Sequence, residues 1–110
     1  MSKFDEKLAF YKEQMGKLGI KVDDQLIHDC TKACGPSIYN KDAETVSGSD
    51  QTELDRVKKN YLIKKLGFSA SDDLDGMVNY AVEKMGKSNR NKYRAIFYYL
   101  LSQKSGKSPA

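Results

Sequence analysis

A chain of 110 residues with 39% apolar and 31% charged residues is the size of one domain and can close one core without a disulfide or metal. With no Trp, two Pro, two Cys and few β-branched residues, the composition excludes a disulfide-framed scaffold and suits helices better than sheets. No apolar run approaches the ~20 residues a membrane span needs. The opening MSKFDEKLAF has no signal-peptide centre, so the cytoplasm is the expected location.

The net charge of +4 is unevenly placed. Residues 1–83 hold 12 Lys/Arg and 15 Asp/Glu, whereas residues 84–110 hold seven Lys/Arg and no acid. A basic end on a mildly acidic body attracts phosphates, acidic proteins or anionic lipid. The competing reading is that the two parts neutralise each other within the fold.

In chain order, Phe4, Leu8, Tyr11, Met15 and Leu18 recur at steps of three and four, one stripe of a helix over 3–18. Ser2 is its cap, and Gly16 and Gly19 bracket its end. Asp23 caps a second helix over 23–34 with an apolar face at Leu26, Ile27, Cys30, Ala33 and Cys34, stopped by Gly35-Pro36. Residues 35–49 show no period and read as a long loop. A turn over Ala43–Val46 and the side chains of Ile38, Tyr39 and Val46 are expected to pin it. Asp50-Gln51-Thr52-Glu53 has capping-box spacing and opens a helix over 50–66. Its apolar face is Leu54, Val57 and Tyr61, then Leu62 and Leu66. Ser71 caps a helix over 71–85. Ser88 or Asn89 caps the last helix, over 89–103, whose run from Ala95 to Leu101 is apolar nearly all round and belongs at the centre. The expectation is an all-α, compact array of about five helices in one domain, 1–101, with a flexible tail over 102–110.

Little catalytic chemistry is encoded. His28, Cys30 and Cys34 offer three soft ligands, short of the four of a structural zinc site, and His28 and Cys30 point about 200° apart on a helix. Helical neighbours at i and i+4 hold Cβ atoms about 5–6 Å apart, too far for a disulfide. Cys30 and Cys34 therefore read as small core residues. Gly86-Lys87-Ser88 and Gly106-Lys107-Ser108 resemble the end of a phosphate loop but lack its earlier Gly and its strand. No metal, cofactor or catalytic residue is assigned.

The segment Lys87-Ser88-Asn89-Arg90-Asn91-Lys92-Tyr93-Arg94 carries the most information. It loads cations onto a predicted helix start, where the dipole disfavours them. The amides and cations of such a start make an anion site. The expected anion-binding set is Lys87, Ser88, Asn89, Arg90, Lys92 and Arg94. Tyr98, one turn beyond Arg94, is an accessory for cation–π contact or stacking. The competing reading pairs these cations internally with Asp42, Glu44 and Asp50 or with Asp72–Asp75.

MSKFDEK at the start, GPSIYNKDAETVSGSD in the middle and GKSNRNKYRAIFYYLL near the end resemble a family of small bacterial proteins catalogued only as a domain of unknown function. The resemblance covers nearly the whole chain. It implies a bacterial, cytoplasmic, stand-alone helical protein and transfers no activity. Three functions are expected, in order. The first is a non-enzymatic module engaging nucleic acid or an acidic partner through 87–94, beside the 35–50 loop. The second is a protein-interaction or homodimerisation module using the amphipathic or tyrosine-rich helix. The third is an enzyme with an unrecognised site.

Overall fold

Caps and stops predicted by the sequence account for most of the helix boundaries in the computed structural model, which describes residues 2–86, 89 and 91–109. Helix α1 (Lys3–Lys17) begins where the Asp5 amide donates to Ser2 Oγ at 3.1 Å. Its stripe turns inward, with Tyr11 and Met15 buried and Phe4, Leu8 and Leu18 packed on the core. Helix α2 (Asp24–Ala33) is capped by Asp23, whose carboxylate accepts the Leu26 amide at 3.1 Å.

The 35–49 segment is more regular than its sequence suggests. A 3-10 turn over Gly35–Tyr39 runs into the short helix α3 (Lys41–Glu44), capped by Asn40. Ile38 and Val46 are buried and pin the segment, whereas Tyr39 is 50% exposed and does not. Asp50 opens α4 (Gln51–Val57) by accepting the Thr52 and Glu53 amides. The chain then widens into a π-helical turn over Lys58–Ile63, where the Lys64 amide donates to Lys59 O and the Leu66 amide to Tyr61 O.

Two predicted starts move. Helix α5 (Leu74–Met85) is capped by Asp73, not Ser71. Asp72 accepts the Ser69 amide at 2.7 Å, closing a turn that holds Ser71 outside the helix. Helix α6 (Arg94–Ser105) begins at Arg94, not 89. The Asn91 amide donates to Asn89 Oδ1 at 2.9 Å, a local Asx turn that competes with helix formation. Tyr93 forms a single antiparallel bridge with Thr45, and Lys92 O accepts the Val46 amide at 2.7 Å. The Tyr93 amide donates to Asn91 O at 3.0 Å, so residues 91–93 form a tight turn ahead of the helix.

The far end of α6 also differs from expectation. Ser102 is buried, the helix continues to Ser105, and Gly106 closes it at φ +73°. That left-handed conformation costs a glycine little. Every residue from Ala95 to Ser102 is buried, so α6 is the central helix, as its all-round apolar sequence predicts. Its mid-section is tied to the core by hydroxyls. Tyr61 stacks on Tyr98 with centroids 3.9 Å apart, and the Tyr61 and Ser102 hydroxyls share a hydrogen bond of 2.6 Å. Tyr99 OH donates to Lys21 O at 2.7 Å. The fold is an all-α single domain, and among the described residues no helix is long and apolar enough to cross a membrane.

Candidate functional site

The structure brings together the two segments that the sequence singled out. Ala43, Thr45, Val46 and Glu53 meet Lys92, Tyr93 and Arg94 at the N-terminal end of α6. Arg94 turns inward there. Its Nε donates to Ala43 O at 2.9 Å and one terminal nitrogen donates to Glu53 Oε1 at 2.5 Å. Its other terminal nitrogen lies 3.5 Å from Tyr98 OH. The first-turn cation that the dipole disfavours is thus offset by a carboxylate brought from α4. Lys92 is 2% exposed, and its ammonium donates to Asn89 O at 2.5 Å. Burial pulls its pKa below the usual lysine value. Gly48 makes room for this chain, since a Cβ there would come 3.0 Å from Lys92 Cε.

Asn89 is committed to the Asx turn and, through Nδ2, to Met85 O at 3.0 Å. Tyr98 is 7% exposed and its ring lies on Tyr61, so it presents no stacking face to solvent. Lys87, Ser88 and Arg90 lie outside the described residues. Of the described members of the anion-binding set, Lys92 and Asn89 precede α6, and Lys92 and Arg94 face the protein.

Outside these residues lies a cleft of about 570 Å³, lined by residues 45–50 with Asp42, Glu53, Asn89 and Lys92. Asp42 and Asp50 are exposed carboxylates on its lining. Glu53 is taken up by Arg94, with Arg56 at 3.9 Å. The lining that faces solvent is polar and acidic, a poor host for phosphate.

Other titratable groups serve the interior. Glu44 is 8% exposed and accepts from Tyr11 OH at 2.5 Å and Lys7 Nζ at 2.8 Å. Burial, then the Glu44 hydrogen bond, hold the Tyr11 hydroxyl protonated far above its ordinary range. Cys30 and Cys34 are free thiols. Burial pushes them up to about 11 and about 12, so neither is a nucleophile near neutral pH. Among the described residues no three His, Cys, Asp or Glu side chains gather as a metal site. Internal pairing does occur, but through Glu53 for Arg94 and through Asp75 for Lys58. The partner of Arg94 was illegible in sequence because 41 residues separate the pair.

The opposite end of α6 is basic. Lys104, in its last turn, stands over the Tyr80 ring with Nζ 5.1 Å from the centroid. Lys107, just past the Gly106 cap, stands 4.4 Å over Phe68. Pro109 then lies along a groove of about 360 Å³ with Lys32 of α2 and Lys65, which follows the π turn. Lys32, Lys65, Lys104 and Lys107 are exposed. The groove's carboxylate, Asp29, already accepts from Gln25 at 3.0 Å. Sequence reasoning found the charge of this end but not Lys32 and Lys65, which come from distant helices.

The model of a family described as a protein of unknown function (DUF2853) matches residues 9–109. No curated protein matches the chain.

Proposed function

Because the chain belongs to that family of unknown function, which lends it no activity, we propose on physical grounds that it is a non-enzymatic, cytoplasmic module that binds a phosphate-bearing polymer. Its contact surface is the basic end of α6, displaced from the 87–94 segment that the sequence favoured. One observation carries this reading. Two exposed lysines from distant parts of the chain, Lys32 and Lys65, line one groove with Pro109, and two more, Lys104 and Lys107, are exposed at the C-terminal end of α6. Internal neutralisation would set carboxylates among them. The groove holds one, Asp29, which accepts from Gln25 and lies 3.4 Å from His28, and none of the four lysines makes a salt bridge among the described residues. The negative C-terminal end of the α6 dipole steadies such a cluster without consuming its charge. Such a surface draws polyanions by counterion release and weakens steeply with salt.

The test is fluorescence anisotropy with a labelled oligonucleotide at about 50 mM and about 200 mM salt. The Lys65→Glu/Lys107→Glu variant should lose on the order of tenfold or more in affinity and flatten the salt dependence. A Lys87→Glu/Arg90→Glu variant tests the segment proposed from sequence. If that pair abolishes binding and the first does not, the surface is at 87–94. If the wild-type protein shows no salt-sensitive binding, the function is wrong.

The tyrosine-rich helix does not favour a dimerisation reading, because its side chains from Ala95 to Ser102 are already buried within one copy.

A further inference from the structure

The basic end has an aromatic floor. Phe68 and Tyr80 are both half-buried, and each carries a lysine ammonium over its ring, at 4.4 Å and 5.1 Å from the centroid. Both rings are packed against the hydrophobic core. Each also meets the end of a long, exposed cation, Lys107 over Phe68 and Lys104 over Tyr80. An exposed cation–π contact is weak, and the lysine leaves it readily for a phosphate. When it does, a ring face opens beside the charge that has just moved. Single-strand binders combine a cationic track for the backbone with aromatic faces that take bases without reading their identity.

Resting on the polyanion reading above, we infer that the polymer is single-stranded nucleic acid. Two of its bases lie on Phe68 and Tyr80. Lys104 and Lys107 move from the rings to the flanking phosphates, and Lys65 and Lys32 extend the track along the Pro109 groove. Duplexes keep their bases stacked inside and offer nothing to these rings. Polyphosphate and anionic lipid satisfy the lysines but cannot use the aromatic faces.

The experiment uses the full chain and four probes: oligothymidylate of about 12 nucleotides, the matching duplex, inorganic polyphosphate, and phosphatidylcholine vesicles with about a quarter phosphatidylglycerol. Wild-type protein should prefer the single strand. Phe68→Leu and Tyr80→Leu keep an apolar side chain at each position. Each should weaken single-strand binding roughly five- to tenfold or more while polyphosphate binding stays unchanged. In NMR spectra of the wild-type complex, the Tyr80 and Phe68 ring resonances should shift upfield as bases stack. Equal loss for both polymers, or no loss with unshifted rings, would overturn the stacking inference and leave the polyanion reading standing. Preference for vesicles or for duplex would overturn it as well. Binding to none of the four probes would remove the polyanion reading itself. The ring shifts come from unmutated protein, so stacking can be tested even if a leucine variant is unstable.

Discussion

The two ends of α6 handle charge in opposite ways. At its N-terminal end, the inward cations are used by the fold: Arg94 holds Glu53 and Ala43 O, and Lys92 lies buried beneath Gly48. At its C-terminal end, about 18 Å away for twelve residues of helix, exposed lysines rest on aromatic rings or flank a groove. Equal formal charges thus do different work. A cation deep in a polar junction stabilises geometry and cannot be lent to a ligand without loosening the fold. A cation lying on a ring in solvent gives up little when it leaves.

This contrast predicts that changes at the first end cost stability and changes at the second cost affinity. The largest effect should come from Arg94→Ala, which strands the Glu53 carboxylate and the Ala43 carbonyl. Urea unfolding should show a loss of about 2–3 kcal/mol, below the range for fully buried pairs because both side chains retain some solvent. Oligonucleotide affinity of the folded variant should be unchanged. A large loss of affinity with little loss of stability would collapse the distinction between the ends. Gly48→Leu should cost about 1–3 kcal/mol by displacing the Lys92 chain, with the change visible in amide shifts around 46 and 92.

Alkaline titration probes the α2–α6 interior between the two ends. The thiols of Cys30 and Cys34 keep their protons to about 11 and about 12 in the folded protein, against 9.0 for a free thiol. Between those values the unfolded chain binds fewer protons than the folded one, so stability falls as pH rises. Each thiol should contribute about 1 kcal/mol of that loss between pH 9 and 10. Cys34→Ala should flatten the unfolding curve by about that amount, leaving the part of the fall that comes from the buried tyrosines, whose hydroxyls ionise near 10.0 once unfolded. The smallest stability effect belongs to Lys65→Glu/Lys107→Glu. It should move the unfolding free energy by less than about 0.5 kcal/mol, as exposed charges do, while changing polyanion affinity the most.

Elements were legible where short-range chemistry decides them. Asp23 and Asp50 cap as their spacing predicts, and the stripe of α1 faces inward as its period requires. The 89–94 region is misleading because its cations and polar residues carry the pattern of a helix start. The Asn89 Asx turn and the Lys92–Val46 hydrogen bond depend on a partner strand of the chain that no local pattern announces. The candidate surface was half legible. The excess of Lys and Arg after residue 83 is visible in the sequence, but Lys32 and Lys65 join it only through tertiary packing.

The wide turn at Lys58–Ile63 bears on how that surface came to exist. In an unbroken α-helix the residue one turn beyond Tyr61 on the inner side would be Lys65. The extra residue accommodated by the π turn rephases the helix beyond it. Leu66, five positions beyond Tyr61 and hydrogen-bonded to it, becomes the buried residue, and Lys64 and Lys65 are exposed. π turns of this kind behave as single-residue insertions that a helix absorbs without breaking. Held to regular α-helical hydrogen bonding with no residue removed, the segment would turn Lys65 toward the core and withdraw a charge from the groove. The wider turn thus couples the packing of this helix to the charge it offers outside.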